Sequence, residues 1–224
     1  AKPLTTAEYR DTEIAKLRKF LIKGNGVHAS GLPYEYWDVA KGKKDDETEL
    51  TAIGFQTEAL AHAVAKDMAA QGQELSELEA IIAILSDIQK QHGWEGLLPV
   101  RYEMQGGLTP KSKKAAIVDN ANLTASLMTV WGSLARALTG ALDAGTRARV
   151  VKLTTGIKDF LDKQKAGYKA LYDPTEKLFR SSVEYNDPKN PVFSKNHRNR
   201  FFAEDSVKIA VVIAYHGLTQ EAEG

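Results

Sequence analysis

The feature that most limits what this chain can fold into is a helical apolar period that keeps returning, with joints between the periodic stretches that are alternately long and short. Tyr9, Ile14, Leu17 and Leu21 share one helix face in a segment that stops at Gly24-Asn25-Gly26. The spacing predicts a second helix from about Glu49 to Ala70. After the break Gln71-Gly72-Gln73, a third carries Leu78, Ile81, Ile82, Leu85 and Ile88 towards Gly93. A fourth is predicted from Asp119 to about Leu138, with Leu123, Leu127, Val130, Trp131 and Leu134 on its apolar side. A fifth runs through Val150, Leu153, Ile157, Phe160 and Leu161. The sixth begins near Glu204 and is apolar almost all round from Val207 to Tyr215, the mark of a helix enclosed by neighbours. No strand ladder stands out, so the expected class is all-α, about six helices in up-and-down hairpins.

The long joints fall at about residues 24–48, 92–118 and 169–203, and the short ones at 71–73 and 140–142. Successive joints of an up-and-down array lie at opposite ends, which puts all three long loops on one face. Long loops on a rigid scaffold are where binding and catalysis usually sit. The second, fourth and sixth helices would all start from that face, and each is richer in small and apolar residues than its partner. They are the candidates for an inner layer, with partial positive charge and free N–H groups at their starts.

Composition narrows the function classes. Thirty Lys and Arg against twenty-nine Asp and Glu leave a net charge of +1, too little field to hold nucleic acid or an acidic membrane surface. A chain of 224 residues with 43% apolar and 26% charged residues suits one folded domain over residues 1–224. Without cysteine there are no disulfides, thiolate nucleophiles or Cys-ligated zinc, and the compartment stays open. The apolar run Ile209-Ala-Val-Val-Ile-Ala-Tyr215 is far shorter than the roughly 20 residues of a membrane span. Ala1 in place of a methionine reads as a processed start or a stretch of a longer chain. The five histidines, at 28, 62, 92, 197 and 216, lack metal-ligand spacing, and no phosphate-binding glycine loop occurs, so no metal or cofactor is expected.

Several segments look familiar in order and spacing: Gly31-Leu-Pro-Tyr34, Thr51-Ala-Ile-Gly-Phe55, Ile88 to Tyr102 with its Gly-Trp-Glu-Gly-Leu-Leu, and Val118-Asp-Asn-Ala-Asn-Leu123. Leu171-Tyr-Asp-Pro-Thr-Glu-Lys-Leu-Phe179 and Arg200-Phe-Phe-Ala-Glu-Asp-Ser206 extend the match over most of the chain. In this order they resemble the glucoamylase-like domain of cyclic β-1,2-glucan synthases and the related β-1,2-glucan hydrolases. The resemblance departs at Ala121, where similar sequences generally carry glycine. It implies an (α/α)6 toroid of which this chain supplies half, with a second chain or a C-terminal half completing the ring. It also implies a bacterial β-glucan as substrate, and a periplasmic or secreted setting is favoured over a cytoplasmic one.

Glycoside hydrolysis needs one carboxylic acid to protonate the leaving oxygen and a second carboxylate to activate water or attack carbon. Asp119 at the start of the fourth helix and Glu204 and Asp205 at the start of the sixth present carboxylates to the loop face, and the resemblance points to the same positions. Asp119 suits the base, because a helix start favours the ionised form, although such a residue also serves simply as an N-cap. Glu204 is the better acid, if burial raises its pKa. Tyr34, Tyr36, Trp37, Trp94 and Tyr102 are candidate walls for a sugar, or else plugs that pack the loops onto the helix ends. Asn120 and Asn122 offer donors and acceptors to hydroxyls, and Arg101 and Arg200 could steady them. The expected partner is an oligo- or polysaccharide. The alternative is a non-catalytic carbohydrate-binding module or a helical module that binds another protein.

Overall fold

The structure is a computed structural model, and it describes residues 23–38, 40–66, 71–196 and 203–218, together with Thr5, Glu8, Thr12 and Leu21. The first predicted helix falls almost wholly outside the described residues. Among the described residues six helices follow: α1 (Leu50–Lys66), α2 (Gln71–His92), α3 (Ile117–Ala137), α4 (Ala144–Lys163), the short α5 (Lys165–Leu171) and α6 (Ala203–Tyr215). Helices α1 and α2 form one antiparallel hairpin and α3 and α4 the next. The most extensive packing joins α1 to α3, while α2 and α4 pack on each other in an outer layer.

Helices α1 to α4 and α6 form where the apolar period predicts them, and the short α5 lies beyond the predicted fifth helix. Leu75, Leu78, Ile81, Ile82, Leu85 and Ile88 of α2 interlock with Leu123, Leu127, Val130 and Leu134 of α3 and with Val150, Leu153, Ile157, Phe160 and Leu161 of α4 in one core. The α1–α3 seam is tight because it is built from small residues. A Cβ added at Gly54 would stand 2.8 Å from Ser126 Oγ and 3.5 Å from the Leu123 Cα. Asp143 caps α4 by accepting from the Thr146 N–H at 2.9 Å. At the other end of α4, Gly96 (φ 81°) lets the second long loop pass so close that a side chain there would overlap the Lys163 carbonyl.

The structure corrects the all-α expectation. Among the described residues, the long loops hold short strands in four small antiparallel sheets. Strands β1 (Trp37–Asp38) and β2 (Lys43–Lys44) pair within the first loop. Strand β3 (Glu47–Glu49) pairs with β4 (Arg101–Glu103), which pairs with β5 (Thr109–Pro110), tying the first loop to the second. Strands β6 (Lys114–Ala116), β9 (Ser182–Glu184) and β10 (Val192–Phe193) tie the second loop to the third, which also holds the β7–β8 pair (Tyr172–Asp173, Leu178–Phe179). The three long loops therefore meet on one face, as the alternation of joints predicts.

Two helix expectations also change. Helix α3 begins at Ile117 with Ala116 as its N-cap, so Asp119 lies inside the first turn and does not cap it. Helix α6 is not enclosed: Val207 is 62% and Val211 44% exposed, and Trp131 of α3 is 38% exposed. Val207, Lys208 and Val211 lie beside Glu58 of α1 and Met128 and Thr129 of α3. Tyr215 reaches Asp162 in the last turn of α4 at 3.2 Å, and the His216 ring lies 5.4 Å from that of Tyr168 in α5. Helix α6 packs along α3. Its end is fixed by apolar burial of Val212, Ile213 and Leu218 in a second core with Trp94, Leu97, Ile117, Tyr168, Leu171 and Val183. Among the described residues no helix is long and apolar enough to cross a membrane.

Candidate functional site

The loop face is organised by the pairing of β3 with β4. Thr48 stands opposite Tyr102, Glu49 opposite Arg101, and Glu47 opposite Glu103. Alternation along a strand sends Thr48 and Tyr102 inwards, both fully buried, and turns Glu47, Glu49, Arg101 and Glu103 outwards. The outward charges form a network. Arg101 Nη2 is 2.8 Å from Glu35 Oε1, its Nε is 3.9 Å from Glu49 Oε2, and Lys111 pairs with Glu47.

Two of these carboxyls are held above the usual range. Burial raises Glu35 most; the Arg101 charge opposes the rise, and Asp45 and Glu47 add to it. Its Oε2 is buried without a hydrogen-bond partner. Burial also raises Glu49 most, the negative charges of Glu35 and Asp119 raise it further, and Arg101 opposes them. The effect of Asp119 on Glu49 marks these two carboxyls as electrostatic neighbours: Glu49 directly precedes α1, and Asp119 lies in the first turn of α3. A carboxyl that burial makes hold its proton more tightly, beside a second carboxyl, is the arrangement that proton donation to a leaving oxygen requires.

Behind the carboxyls, Asn122 Nδ2 donates to Thr51 Oγ1 at 3.3 Å and joins the first turns of α1 and α3. Asn122 Oδ1 is buried with no partner. Asn120 is fully buried and is spent on the backbone: its Oδ1 accepts from the Leu98 N–H at 2.8 Å, and its Nδ2 donates to the Leu98 and Ala116 carbonyls at 3.0 and 2.9 Å. Its expected contact with sugar hydroxyls is therefore replaced by a clamp on the second loop.

The aromatic candidates divide by burial. Tyr36 is 60% exposed and open to a ligand. Tyr34 is half-buried, edge-on to His28, with the Lys44 ammonium 5.2 Å from its ring centre. Trp94 is packed between Tyr185 and Phe193, and Tyr102 is in the main core, so neither ring keeps a face for a sugar; both plug the loops onto the helix ends. The side chains of Trp37, Glu204 and Asp205, and the whole of Arg200, lie outside the described residues, although the backbone of Glu204 and Asp205 belongs to the first turn of α6. Glu35 and Glu49 are the residues that sequence reasoning missed. The sign of Glu49 in the chain is the alternation Glu47-Thr48-Glu49, too short to announce a strand on its own.

No protein-family model matches the sequence, and neither does any curated protein. Solved structures do share its fold. An endo-β-1,2-glucanase from Talaromyces funiculosus in complex with sophorose superposes with a TM-score of 0.74 at 13% identity, over 96% of this chain and 49% of that one. An endo-β-1,2-glucanase from Chitinophaga pinensis with sophorotriose and glucose gives 0.66 at 15% identity, over 95% of this chain and 47% of that one. A candidate glucoamylase from Bacteroides fragilis gives 0.60 at 17% identity, over 81% and 41%. The chain spans about half the length of these proteins, and its fold is that of a partial glucoamylase-like domain.

Proposed function

We propose that this chain belongs to a glycoside hydrolase acting on a β-1,2-linked glucan and supplies the proton-donating side of its site. The observation that carries the reading is Glu49, a carboxyl raised by burial and by the charges of Glu35 and Asp119, at the mouth of a fold shared with endo-β-1,2-glucanases. In this reading Glu49 gives its proton to the glycosidic oxygen as the C1–O bond breaks. A second carboxylate activates water or attacks the anomeric carbon. Asp119 fits the second role, because the positive end of α3 favours its ionised form. Glu204 and Asp205 at the start of α6 complete the set of carboxylates that the family resemblance supports.

The half-length match supports a requirement for the rest of the ring, either as further chain or as a second chain. The exposed apolar residues Val207, Val211 and Trp131 favour such a covering partner. The same bare surface favours a second reading, a glycan-binding module without turnover. Incubating the protein with linear β-1,2-glucan and measuring new reducing ends tests the first, with Glu49→Gln expected to lower the rate about 10²- to 10⁴-fold. Absence of turnover together with calorimetric binding of sophorose would favour the module, and absence of both would end the glycan reading.

A further inference from the structure

The seam between α1 and α3 carries a stripe of residues that the acid–base chemistry does not use. Thr51, Phe55 and Glu58 are spaced four and three residues apart along α1, so they line one face of the helix. The first turn of that stripe lies next to the mouth, since Glu49 precedes Thr51 by two residues. Phe55 is 56% exposed, an unusual state for a phenylalanine in the middle of a helix whose neighbours Ile53, Gly54, Gln56 and Thr57 are buried. The Lys208 ammonium of α6 lies 5.2 Å from its ring centre. Beyond Lys208 opens a cleft of about 490 Å³ lined by Glu58, Thr129, Lys208 and the apolar Met128, Val207 and Val211.

Above the ring, Thr51 is half-exposed, and its hydroxyl accepts from Asn122 Nδ2. A hydroxyl held as an acceptor is left to donate outwards. Asn122 is 8% exposed and keeps an unpartnered Oδ1 at the same place. An exposed aromatic ring with an ammonium over one face, a hydroxyl one helical turn away, and a carboxylate at the cleft beyond are the complement of a pyranose, which has an apolar face and a rim of hydroxyls.

We propose that Phe55 and Thr51, with the cleft at Glu58 and Lys208, form a glucosyl subsite on the α1–α3 seam, next to the carboxyl pair at the mouth. Phe55 stacks on the apolar face of one glucose unit, the Thr51 O–H donates to a ring hydroxyl, and Glu58 and Lys208 meet the hydroxyls on the far side. The inference rests on the glycan reading above.

Calorimetric titration of the full chain with sophorose and longer β-1,2-linked gluco-oligosaccharides tests it. Phe55→Ala is expected to weaken binding at least 10-fold and Thr51→Val about 3- to 10-fold, while Phe55→Trp keeps or tightens it. Because Phe55 is exposed, the variants should keep the far-ultraviolet dichroism and melting temperature of the parent, which is measured alongside. If the parent binds no β-1,2-glucan, the glycan reading falls and the subsite with it. If the parent binds and Phe55→Ala binds equally well, the subsite alone is overturned. Unchanged sugar affinity with an altered oligomeric mass would overturn it too, and would assign Phe55 to a protein interface.

Discussion

Asn120 and Leu98 exchange two hydrogen bonds as paired strands do, with the amide of the Asn120 side chain taking the place of a peptide unit: Oδ1 accepts from the Leu98 N–H at 2.8 Å and Nδ2 donates to its carbonyl at 3.0 Å. The contact joins the first turn of α3 to the second long loop inside the core. Replacing Asn120 with Ala would leave the N–H and C=O of Leu98 buried and unpaired. The expected cost is about 2–4 kcal/mol of unfolding free energy, read from urea denaturation. Asn120→Asp keeps one acceptor, loses the donor and buries a charge, so it should cost at least as much at neutral pH.

The α1–α3 seam gives a second prediction. A methyl group at Gly54 would sit 2.8 Å from Ser126 Oγ and 3.1 Å from Ser126 Cβ, both well inside van der Waals contact. Gly54→Ala gains helix propensity but forces the two helices apart, and the strain should win. We expect a net loss of about 1–3 kcal/mol, seen as a lower melting temperature. Ser126→Gly in the same chain removes both clashing atoms and should restore most of the loss. A double variant no more stable than Gly54→Ala alone would place the strain elsewhere.

These two contacts show where sequence reading stops. The cores of α2, α3 and α4 were legible because Leu78, Leu85, Leu127, Leu134, Ile157 and Leu161 recur at a period that only a helix satisfies. The strands were not, since β3 and β4 are three residues each and offer no window in which a period can register. With the strands unseen, nothing in the sequence sets Glu49 opposite Arg101 or Thr48 opposite Tyr102, and so the raised carboxyls went unread. Trp94 and Tyr102 were legible as plugs or platforms but not as one or the other, because burial decides between the two. The exposure of Val207 and Val211 on α6 was not legible either, because it depends on what packs beside the helix, which is tertiary information.

His216 makes the stability depend on pH. Burial lowers its pKa to about 4, against the pull of the Asp162 charge, while the Lys165 charge lowers it further, and its Nε2 has no partner. Tyr168 and Tyr215 pack against the ring from α5 and α6. A histidine whose folded pKa lies below the unfolded value of about 6.5 stabilises the fold fully above 6.5, and that contribution is lost as the pH falls towards 4. The loss should be on the order of 2–3 kcal/mol, measured by denaturant unfolding at a series of pH values. His216→Phe should flatten that part of the curve. Glu35 and Glu49 act in the opposite sense: their folded values are raised, so they weaken the fold at neutral pH, and the penalty is relieved as they protonate on acidification.

Arg101 separates the electrostatic role of the mouth from its packing role. Its charge lowers both Glu35 and Glu49, so Arg101→Met should raise both pKa values further. If Glu49 is the proton donor, it then stays protonated to higher pH, and the basic limb of kcat/KM on β-1,2-glucan should move upwards. Arg101 is half-exposed, and solvent screens its pair with Glu35, so the stability cost at neutral pH should be only about 1 kcal/mol. That cost should shrink as the pH falls through the Glu35 value, because a neutral Glu35 no longer needs the guanidinium. A basic limb that stays in place in Arg101→Met, measured together with an unchanged pH-independent maximum, would remove Glu49 from the role of proton donor and return the choice to Glu204 and Asp205.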